Sequence, residues 1–285
     1  MMYADHNVVH KTKNMKKLAV NFTIALIGIV IWNSLRSEVV TVATATNFLP
    51  TIRVLEQDFE SKTKLDVEIR SASSGVLFAQ ISRGMQIDIF LSADEERVDQ
   101  LIRLGFGKEK SSFVYAIGRL ALWFPTTKPV LTKLNIEQAK SGLAKSKRIG
   151  MANEKVAPYG LAAIKTVSAL NLPNKDTKII RAENIGQTYA LASSGNVDAA
   201  FIAMSQIKNG LKNGSYWEVD STLHPPINQK VILLSKGEKN PGARLFFQFL
   251  RSESAQRRIR DAGYKTPENS IALEKLALSS QQKLL

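Results

Sequence analysis

The sequence contains no cysteine, which excludes a disulfide framework, a thiolate nucleophile and a cysteine-based metal site. Histidine is scarce as well: His224 is the only one after residue 37, so a transition-metal site would have to rely on carboxylates alone. Neither a phosphate-binding loop nor a dinucleotide glycine fingerprint occurs. We therefore predict no metal held by protein side chains and no cofactor.

What is present is the composition of a globular protein, with 44% hydrophobic, 22% charged and 7% aromatic residues over 285 positions. That length suits one or two domains. The net charge of +14 raises the question of a nucleic-acid partner. The basic residues are scattered among acidic ones, however, with only short basic stretches at 145–148 and 257–260. This pattern favours a solvated basic surface, and no nucleic-acid partner is predicted.

Residues 1–37 have the pattern of an export signal. Lys16 and Lys17 precede an apolar run over residues 18–32, which is shorter than the roughly 20 residues that cross a bilayer. We predict a secretory signal, natural translation from Met15 and a periplasmic mature protein. Because no small-x-small cleavage site follows the run, an uncleaved membrane anchor is the alternative.

From residue 39 onward, short apolar runs alternate with amphipathic segments, which is typical of βαβ units around parallel sheets. The predicted strands are 39–45, 65–69, 87–91, 120–124, 148–151, 178–180, 199–203 and 230–234. The predicted helices lie around 50–64, 77–84, 93–104, 160–170, 188–193 and 241–260. The order of these elements predicts an α/β protein.

Two α/β lobes joined by crossing strands are the simplest layout for this order. We predict that residues 38–119 form the first part of lobe I, that 120–228 form lobe II, and that 229–285 return to complete lobe I. The lobes would close on each other about the strands 120–124 and 230–234, in a hinge motion.

Four strand-to-helix corners carry small or hydrogen-bonding residues: Ala43–Asn47, Ser71–Gly75, Ala157–Gly160 and Glu183–Gln187. Each corner presents free backbone N–H groups at a helix start, and open α/β sheets place ligands at the carboxyl ends of their strands. The corners therefore suit an anion, although each taken alone is also readable as a plain helix cap. Catalysis by Ser74 is not predicted, because no Gly-x-Ser-x-Gly elbow surrounds it and histidine is scarce.

These corners and several further segments resemble the periplasmic molybdate-binding protein family over roughly residues 39–268. The matching segments are Thr-Val-Ala-Thr-Ala-Thr-Asn-Phe at 41–48, Ser-Ala-Ser-Ser-Gly at 71–75, Asp-Ile-Phe-Leu-Ser-Ala-Asp at 88–94, Val-Ala-Pro-Tyr-Gly at 156–160, Phe-Ile-Ala-Met-Ser-Gln at 201–206, the helix at 243–250 and Asp-Ala-Gly-Tyr at 261–264. Their order and spacing, more than any single segment, carry the resemblance.

The resemblance implies a two-lobed, type II periplasmic-binding-protein fold, with a tetrahedral oxyanion held in the interlobe cleft by neutral hydrogen bonds. The implied contacts are Thr46, Asn47, Ser74, Tyr159 and, through its backbone N–H, Ile185. Some family members place a ligand tyrosine where this chain has Ala203. The present chain has the Thr-Asn and Pro-Tyr-Gly pattern instead, so Ala203 is not expected to bind through its side chain.

The function implied is that of a non-catalytic, monomeric solute-binding protein that captures molybdate or tungstate and delivers it to an ABC permease in the inner membrane. A binding protein for sulfate or another oxyanion is the first alternative, and a membrane-anchored interaction protein is the second. A site of donors alone suits a fully ionised dianion and offers nothing to the proton of hydrogen phosphate. Such a neutral site requires Arg119 and Arg148, near the predicted hinge and cleft strands, to stay outside it.

Overall fold

The computed structural model describes residues 39–128, 130–171 and 177–267. The predicted signal in residues 1–37 lies outside the described residues. Within these three ranges, no helix has the length and hydropathy needed to span a membrane.

The strands in chain order are β1 (Val40–Ala45), β2 (Val67–Ala72), β3 (Ile89–Leu91), β4 (Gly107–Gly118), β5 (Leu120–Phe124), β6 (Leu131–Lys133), β7 (Arg148–Ala152), β8 (Lys178–Ala182), β9 (Ala199–Ala203), β10 (Gly214–Glu218) and β11 (Ile227–Leu234). The α-helices are α1 (Leu49–Thr63), α2 (Ser74–Ser82), α3 (Glu96–Arg103), α4 (Ile136–Lys145), α5 (Pro158–Ala169), α6 (Ile185–Ser193), α7 (Met204–Lys208), α8 (Pro241–Phe249) and α9 (Glu253–Asp261). A 3₁₀ turn, Thr46–Phe48, joins β1 to α1.

The first sheet has the strand order β2-β1-β3-β11-β4. β1 pairs in parallel with β2 and β3, and Val42 lies opposite both Ile69 and Ile89. Apolar side chains of α1, α8 and α9 pack on one face of the sheet, and those of α2 and α3 pack on the other. We call this sheet with its helices the first lobe.

The second sheet has the order β6-β10-β5-β9-β7-β8. β7 runs parallel to β8 and β9. β9 has the sequence Ala-Ala-Phe-Ile-Ala and is buried at every position, as a central strand covered on both faces should be. Helices α4 and α5 pack on one face, and α6 and α7 pack on the other. We call this sheet with its helices the second lobe.

The chain crosses between the lobes twice. Arg119 alone separates β4 in the first sheet from β5 in the second, and residues 219–226 lead from β10 back to β11. The strands that follow the crossings, β5 and β11, run antiparallel to their neighbours. Because no crossover helix precedes them, nothing forces a parallel direction, and both sheets are mixed.

The predicted α/β fold class is confirmed, and the strands predicted at 120–124 and 199–203 have the predicted bounds. The other six predicted strands are present with ends shifted by one to three residues. β4, β6, β10, α4 and α7 were not predicted. β4 lies at the edge of the first sheet, and its first half is polar and exposed, so it lacks the apolar run that marks a buried strand.

The single long helix predicted over 241–260 is wrong, because the chain forms α8 and α9 with a break between them. Ser252 favours the start of a new helix at Glu253, because it has an extended backbone at the cap position of α9. Its Oγ accepts a hydrogen bond from the Ala255 N–H at 3.3 Å. The new helix direction brings Ile259 into the core of the first lobe.

Candidate ligand-binding site

A small pocket, with a cavity volume of about 10 Å³, lies between the two lobes. It is lined by Ala93, after β3, and by one segment from each of four corners: residues 45–47, 73–74, 157–159 and 184–185. All four corners follow the carboxyl end of a strand. This is the place where open α/β sheets bind ligands.

The five residues expected from the sequence all line this one pocket. They are Thr46, Asn47, Ser74, Tyr159 and Ile185. The structure therefore brings together residues of both lobes, of which Thr46 and Ile185 lie 139 positions apart in the sequence. Their contact with a ligand stays a prediction.

Three of the four corners are the starts of α2, α5 and α6, which are 9, 12 and 9 residues long. The first N–H groups of a helix have no partner within it, and the aligned peptide dipoles make this end positive. Pro158 begins α5, where its missing N–H costs no helical hydrogen bond. The pocket thus combines three helix N-termini with neutral side chains.

Ser74 is fully buried, and its Oγ accepts a hydrogen bond from the Ala93 N–H at 2.8 Å. That bond occupies a lone pair of the hydroxyl and leaves its proton to be donated. The next residue, Gly75, donates its N–H across the cleft to the Val156 carbonyl oxygen at 2.9 Å. The start of α2 therefore holds the two lobes in contact beside the pocket.

Ser73 also lines the pocket and was not among the expected residues. It is 4% exposed, and its Oγ has no hydrogen-bond partner in the described part of the chain. It occupies the cap position of α2 without making the usual side-chain cap bond. The Ser-Ser pair is visible in the sequence, but sequence alone does not distinguish the two hydroxyls.

The side-chain amide and the backbone oxygen of Asn47 are both hydrogen-bonded to other residues of the protein. Its Nδ2 donates to Gln229 Oε1 at 2.9 Å and to Tyr264 Oη at 3.2 Å. Its backbone oxygen accepts from Tyr264 Oη at 2.7 Å and from Ser205 Oγ at 3.3 Å. Both protons of the side-chain amide are thus committed within the protein, and the backbone N–H is the group this residue has left for a ligand.

Tyr159 is 2% exposed, and its Oη accepts a hydrogen bond from Gln229 Nε2 at 3.3 Å. Gly118, the last residue of β4, makes room for this hydroxyl, since a Cβ at that position would collide with it. Burial raises the pKa of Tyr159 well above its usual value. The phenol therefore remains a neutral hydrogen-bond donor.

No charged side chain is among the residues that line the pocket. Arg119 pairs with Glu218, with Nε 2.7 Å from Oε1, and also donates to the Gly263 carbonyl oxygen. Arg148 pairs with Asp198 at 3.1 Å on the surface of the second lobe. The two arginines that could have entered the cleft are thus engaged elsewhere.

A neutralised ion pair borders the pocket. Arg97 lies 2.7 Å from Asp94 and donates to the Lys155 carbonyl oxygen across the lobes at 3.3 Å. The pair lines a separate interlobe crevice that shares Ala93 and Pro158 with the pocket. Burial raises the pKa of Asp94, and the positive charge of Arg97 opposes that rise.

In the segments of the chain that the structure describes, Ser74 has neither a metal site nor a catalytic base beside it. Among residues 39–128, 130–171 and 177–267, no group of three or more histidines and carboxylates is arranged to hold a metal ion. His224 is not one of the lining residues, and its Nδ1 lies 2.8 Å from the Pro225 carbonyl oxygen. The residues that line the pocket are thus small, apolar or neutral hydrogen-bonding groups.

Two lobes joined by crossing strands, with a donor-lined pocket between them, define a solute-binding protein of the type II periplasmic-binding-protein fold. Residues 40–265 match the family model described as bacterial extracellular solute-binding protein. The chain belongs to this family.

Its relatives include the molybdate-binding protein ModA of Azotobacter vinelandii, which is 33% identical over 230 residues, or 79% of this chain and 89% of the relative. ModA of Rhodobacter capsulatus is 33% identical over 80% of this chain and 88% of its own. The solved structure of the Azotobacter vinelandii periplasmic molybdate-binding protein superposes with a TM-score of 0.74 at 33% identity, covering 80% of this chain and all of that one. The resemblance to the molybdate-binding proteins is thereby confirmed.

Proposed function

We propose that this protein captures molybdate or tungstate in the interlobe pocket and delivers it to an ABC permease in the inner membrane. The observation that carries the proposal is the lining of the pocket, which combines three helix N-termini and neutral hydroxyls with no charged side chain. Neutral donors stabilise a dianion without burying a counter-charge that would lose its own hydration. The two ModA relatives named above support the choice of anion.

The proposed contacts are the five residues expected from the sequence, with one addition. Thr46, Ser74 and Tyr159 would donate through their hydroxyls, and Asn47 and Ile185 through their backbone N–H groups. Ser73 is added, because its buried Oγ lacks a protein partner and lines the same pocket. A buried hydroxyl without a partner costs free energy, which a bound anion would offset.

The proposal is for a binding protein and not for an enzyme. The Ser74 oxygen already accepts from Ala93, and no histidine or carboxylate lines the pocket to remove its proton. No cofactor has a role in this scheme. The ligand supplies the molybdenum as an oxyanion, and no protein side chain ligates the metal directly.

Calorimetric titration with molybdate, tungstate, sulfate and phosphate tests this proposal. We expect one-to-one binding of molybdate and tungstate, with little response to sulfate or phosphate. Ser74→Ala should weaken molybdate binding by about 1.5–3 kcal/mol, the usual worth of a hydrogen bond to a charged group. Ser71→Ala is the matched control, since Ser71 lies at the same corner but is exposed and outside the pocket.

Two outcomes would replace the proposal. Tighter binding of sulfate than of molybdate would make this a sulfate-binding protein. If no oxyanion binds, the four corners act only as helix caps.

Export is proposed from residues 1–37, which carry the signal pattern, and N-terminal sequencing of protein from the periplasmic fraction tests it. An intact apolar run over 18–32 would establish the anchored form instead.

The division into lobes is part of the same proposal, with the second boundary within residues 219–226, because β11 of the first sheet already begins at Ile227 and not at the predicted residue 229. Closure of the lobes about the two crossings would enclose the anion, and the closed form would be the one that the permease binds. The hydrogen bond from Gly75 to Val156 supports this, because it joins the lobes beside the pocket. We expect a monomer to suffice, since both halves of the pocket come from one chain.

A further inference from the structure

Gln229 lies directly behind the pocket and contacts residues of both lobes. It is on β11, is 0% exposed and is not among the residues that line the pocket. Its Oε1 accepts from Asn47 Nδ2 and from Tyr115 Oη, each at 2.9 Å, and its Nε2 donates to Tyr159 Oη at 3.3 Å. One buried amide thus connects a pocket residue of the first lobe with a pocket residue of the second.

The direction of these hydrogen bonds follows from a backbone carbonyl, which can only accept. Tyr264 Oη donates its single proton to the Asn47 backbone oxygen at 2.7 Å. Toward the Asn47 side chain the Tyr264 oxygen can therefore only accept, so Asn47 must direct its NH₂ group at Tyr264. The same NH₂ group donates to Gln229, whose carbonyl oxygen must therefore face Asn47. The NH₂ group of Gln229 is then left to face Tyr159.

The Tyr159 oxygen is consequently surrounded by donors. Besides the Gln229 amide, the backbone N–H of Arg119 donates toward it. Burial raises the pKa of Tyr159, and these two groups act in the opposite direction, as donors to a phenol oxygen do. No acceptor for the Tyr159 proton is found among the residues that the structure describes.

We propose that Gln229 is a positioning residue that makes the Tyr159 hydroxyl a donor to the bound anion. This inference rests on the proposed function and deepens it. By donating to the oxygen of Tyr159, Gln229 opposes acceptance of a hydrogen bond from a protonated ligand by that oxygen. The pocket is thereby restricted to oxyanions that carry no proton, and hydrogen phosphate is disfavoured although its shape is similar.

A double-mutant cycle between Gln229→Met and Tyr159→Phe tests this coupling. Methionine matches the length of glutamine but neither donates nor accepts strongly. We expect each single variant to weaken molybdate binding about tenfold or more, as loss of a hydrogen bond to a charged group does. In the Tyr159→Phe background, Gln229→Met should have little further effect, because its route to the ligand is already absent.

The neighbouring amide offers a matched control. Asn228 lies on the same strand, but its Nδ2 donates to Glu95 Oε2 at 2.8 Å and not to a pocket residue. Asn228→Ala should leave molybdate affinity unchanged. An undiminished effect of Gln229→Met in the Tyr159→Phe background would overturn the positioning role and leave Gln229 as a packing residue.

Gln229→Glu gives a second readout that keeps the inference testable if the methionine variant does not fold. An ionised carboxylate only accepts hydrogen bonds, so the Tyr159 hydroxyl would donate to the introduced carboxylate and no longer to the ligand. This carboxylate would also add a negative charge near the bound anion. Molybdate affinity of this variant should fall as pH rises from 6 to 9, and that of the wild type should not.

The groups around Gln229 permit this comparison. Tyr115 and Tyr159 contact it directly, and Tyr264 acts through Asn47; burial raises the pKa of all three. Asp94, which interacts with Tyr115, is present in wild type and variant alike. A pH-independent Gln229→Glu variant would contradict the inference, whereas absence of any oxyanion binding by the wild type would contradict the proposed function itself.

Discussion

Gly75→Ala should weaken anion binding without weakening the fold. Gly75 is the second residue of α2 in the first lobe, and it faces Val156 in the second. A Cβ at this position would lie 3.0 Å from both the Cα and the carbonyl oxygen of Val156. Because these are backbone atoms, the contact is relieved only if the lobes move apart by a few tenths of an ångström, which also lengthens the 2.9 Å hydrogen bond from Gly75.

The size of the effect follows from where the strain falls. An extra methyl group in a well-packed contact costs about 1–3 kcal/mol, and here the closed form alone bears it. The apparent Kd for molybdate should therefore rise about 5- to 150-fold. In the free protein with its lobes apart, the methyl group meets no such contact, and alanine is the better helix former by up to about 1 kcal/mol.

Calorimetry with molybdate measures the Kd, and thermal unfolding without ligand measures the stability of the same sample. Gly150→Ala is the matched control, because its Cβ would meet Val197, Ala200 and Thr188, all within the second lobe. That variant should change stability and leave the Kd unaltered. A Gly75→Ala protein with wild-type Kd would refute the reasoning, since the interlobe contact would then relax at no cost.

Three further predictions concern the pocket, the backbone and alkaline pH. Ser73→Ala should weaken molybdate binding about tenfold or more, since a hydrogen bond to a charged group is lost, and Ser71→Ala should not; equal Kd values in calorimetry would remove Ser73 from the ligand contacts. Gly160→Ala should lower the free energy of unfolding in urea by about 1–3 kcal/mol, because its Cβ would collide with the Ala152 carbonyl; an unchanged urea midpoint would show that the backbone has room. Burial raises the pKa of Tyr115, Tyr159 and Tyr264 above the usual 10.0, so the folded state keeps phenol protons that the unfolded chain loses. The free energy of unfolding should therefore fall as pH rises above 10, by up to about 1.4 kcal/mol per pH unit for each phenol. Tyr115→Phe should reduce this slope in unfolding experiments between pH 10 and 12, and an identical slope would show that Tyr115 ionises without opposing the fold.

Much of the site was predictable because its chemistry is local. Each of the four corners is a short segment in which a strand ends and a helix begins, and small or hydroxyl-bearing residues at such a corner indicate free donors whatever surrounds them. Parallel strands place their carboxyl ends at the same edge, so the corners of one lobe converge once the strands are recognised. Thr46, Ser74, Tyr159 and Ile185 were predictable on these grounds, together with the resemblance.

Other features depend on chain crossings that local patterns do not encode. The antiparallel directions of β5 and β11 follow from the passage between lobes, and the break between α8 and α9 follows from how Ser252 caps the second helix. Sequence periodicity continues through that break, because both helices present an apolar face to the same core.

The sequence by itself determined the fold class, the four corners and the absence of metal-binding thiols. Only the tertiary structure decided how each polar group at the pocket is used. The Asn47 amide is occupied by Gln229 and Tyr264, which lie 182 and 217 residues away along the chain. Ser74 is oriented by Ala93, whereas Ser73 is left without a partner. Hydrogen bonds of this kind form between segments that meet only after both lobes have folded, and so the donors that remain for a ligand are set by the three-dimensional packing.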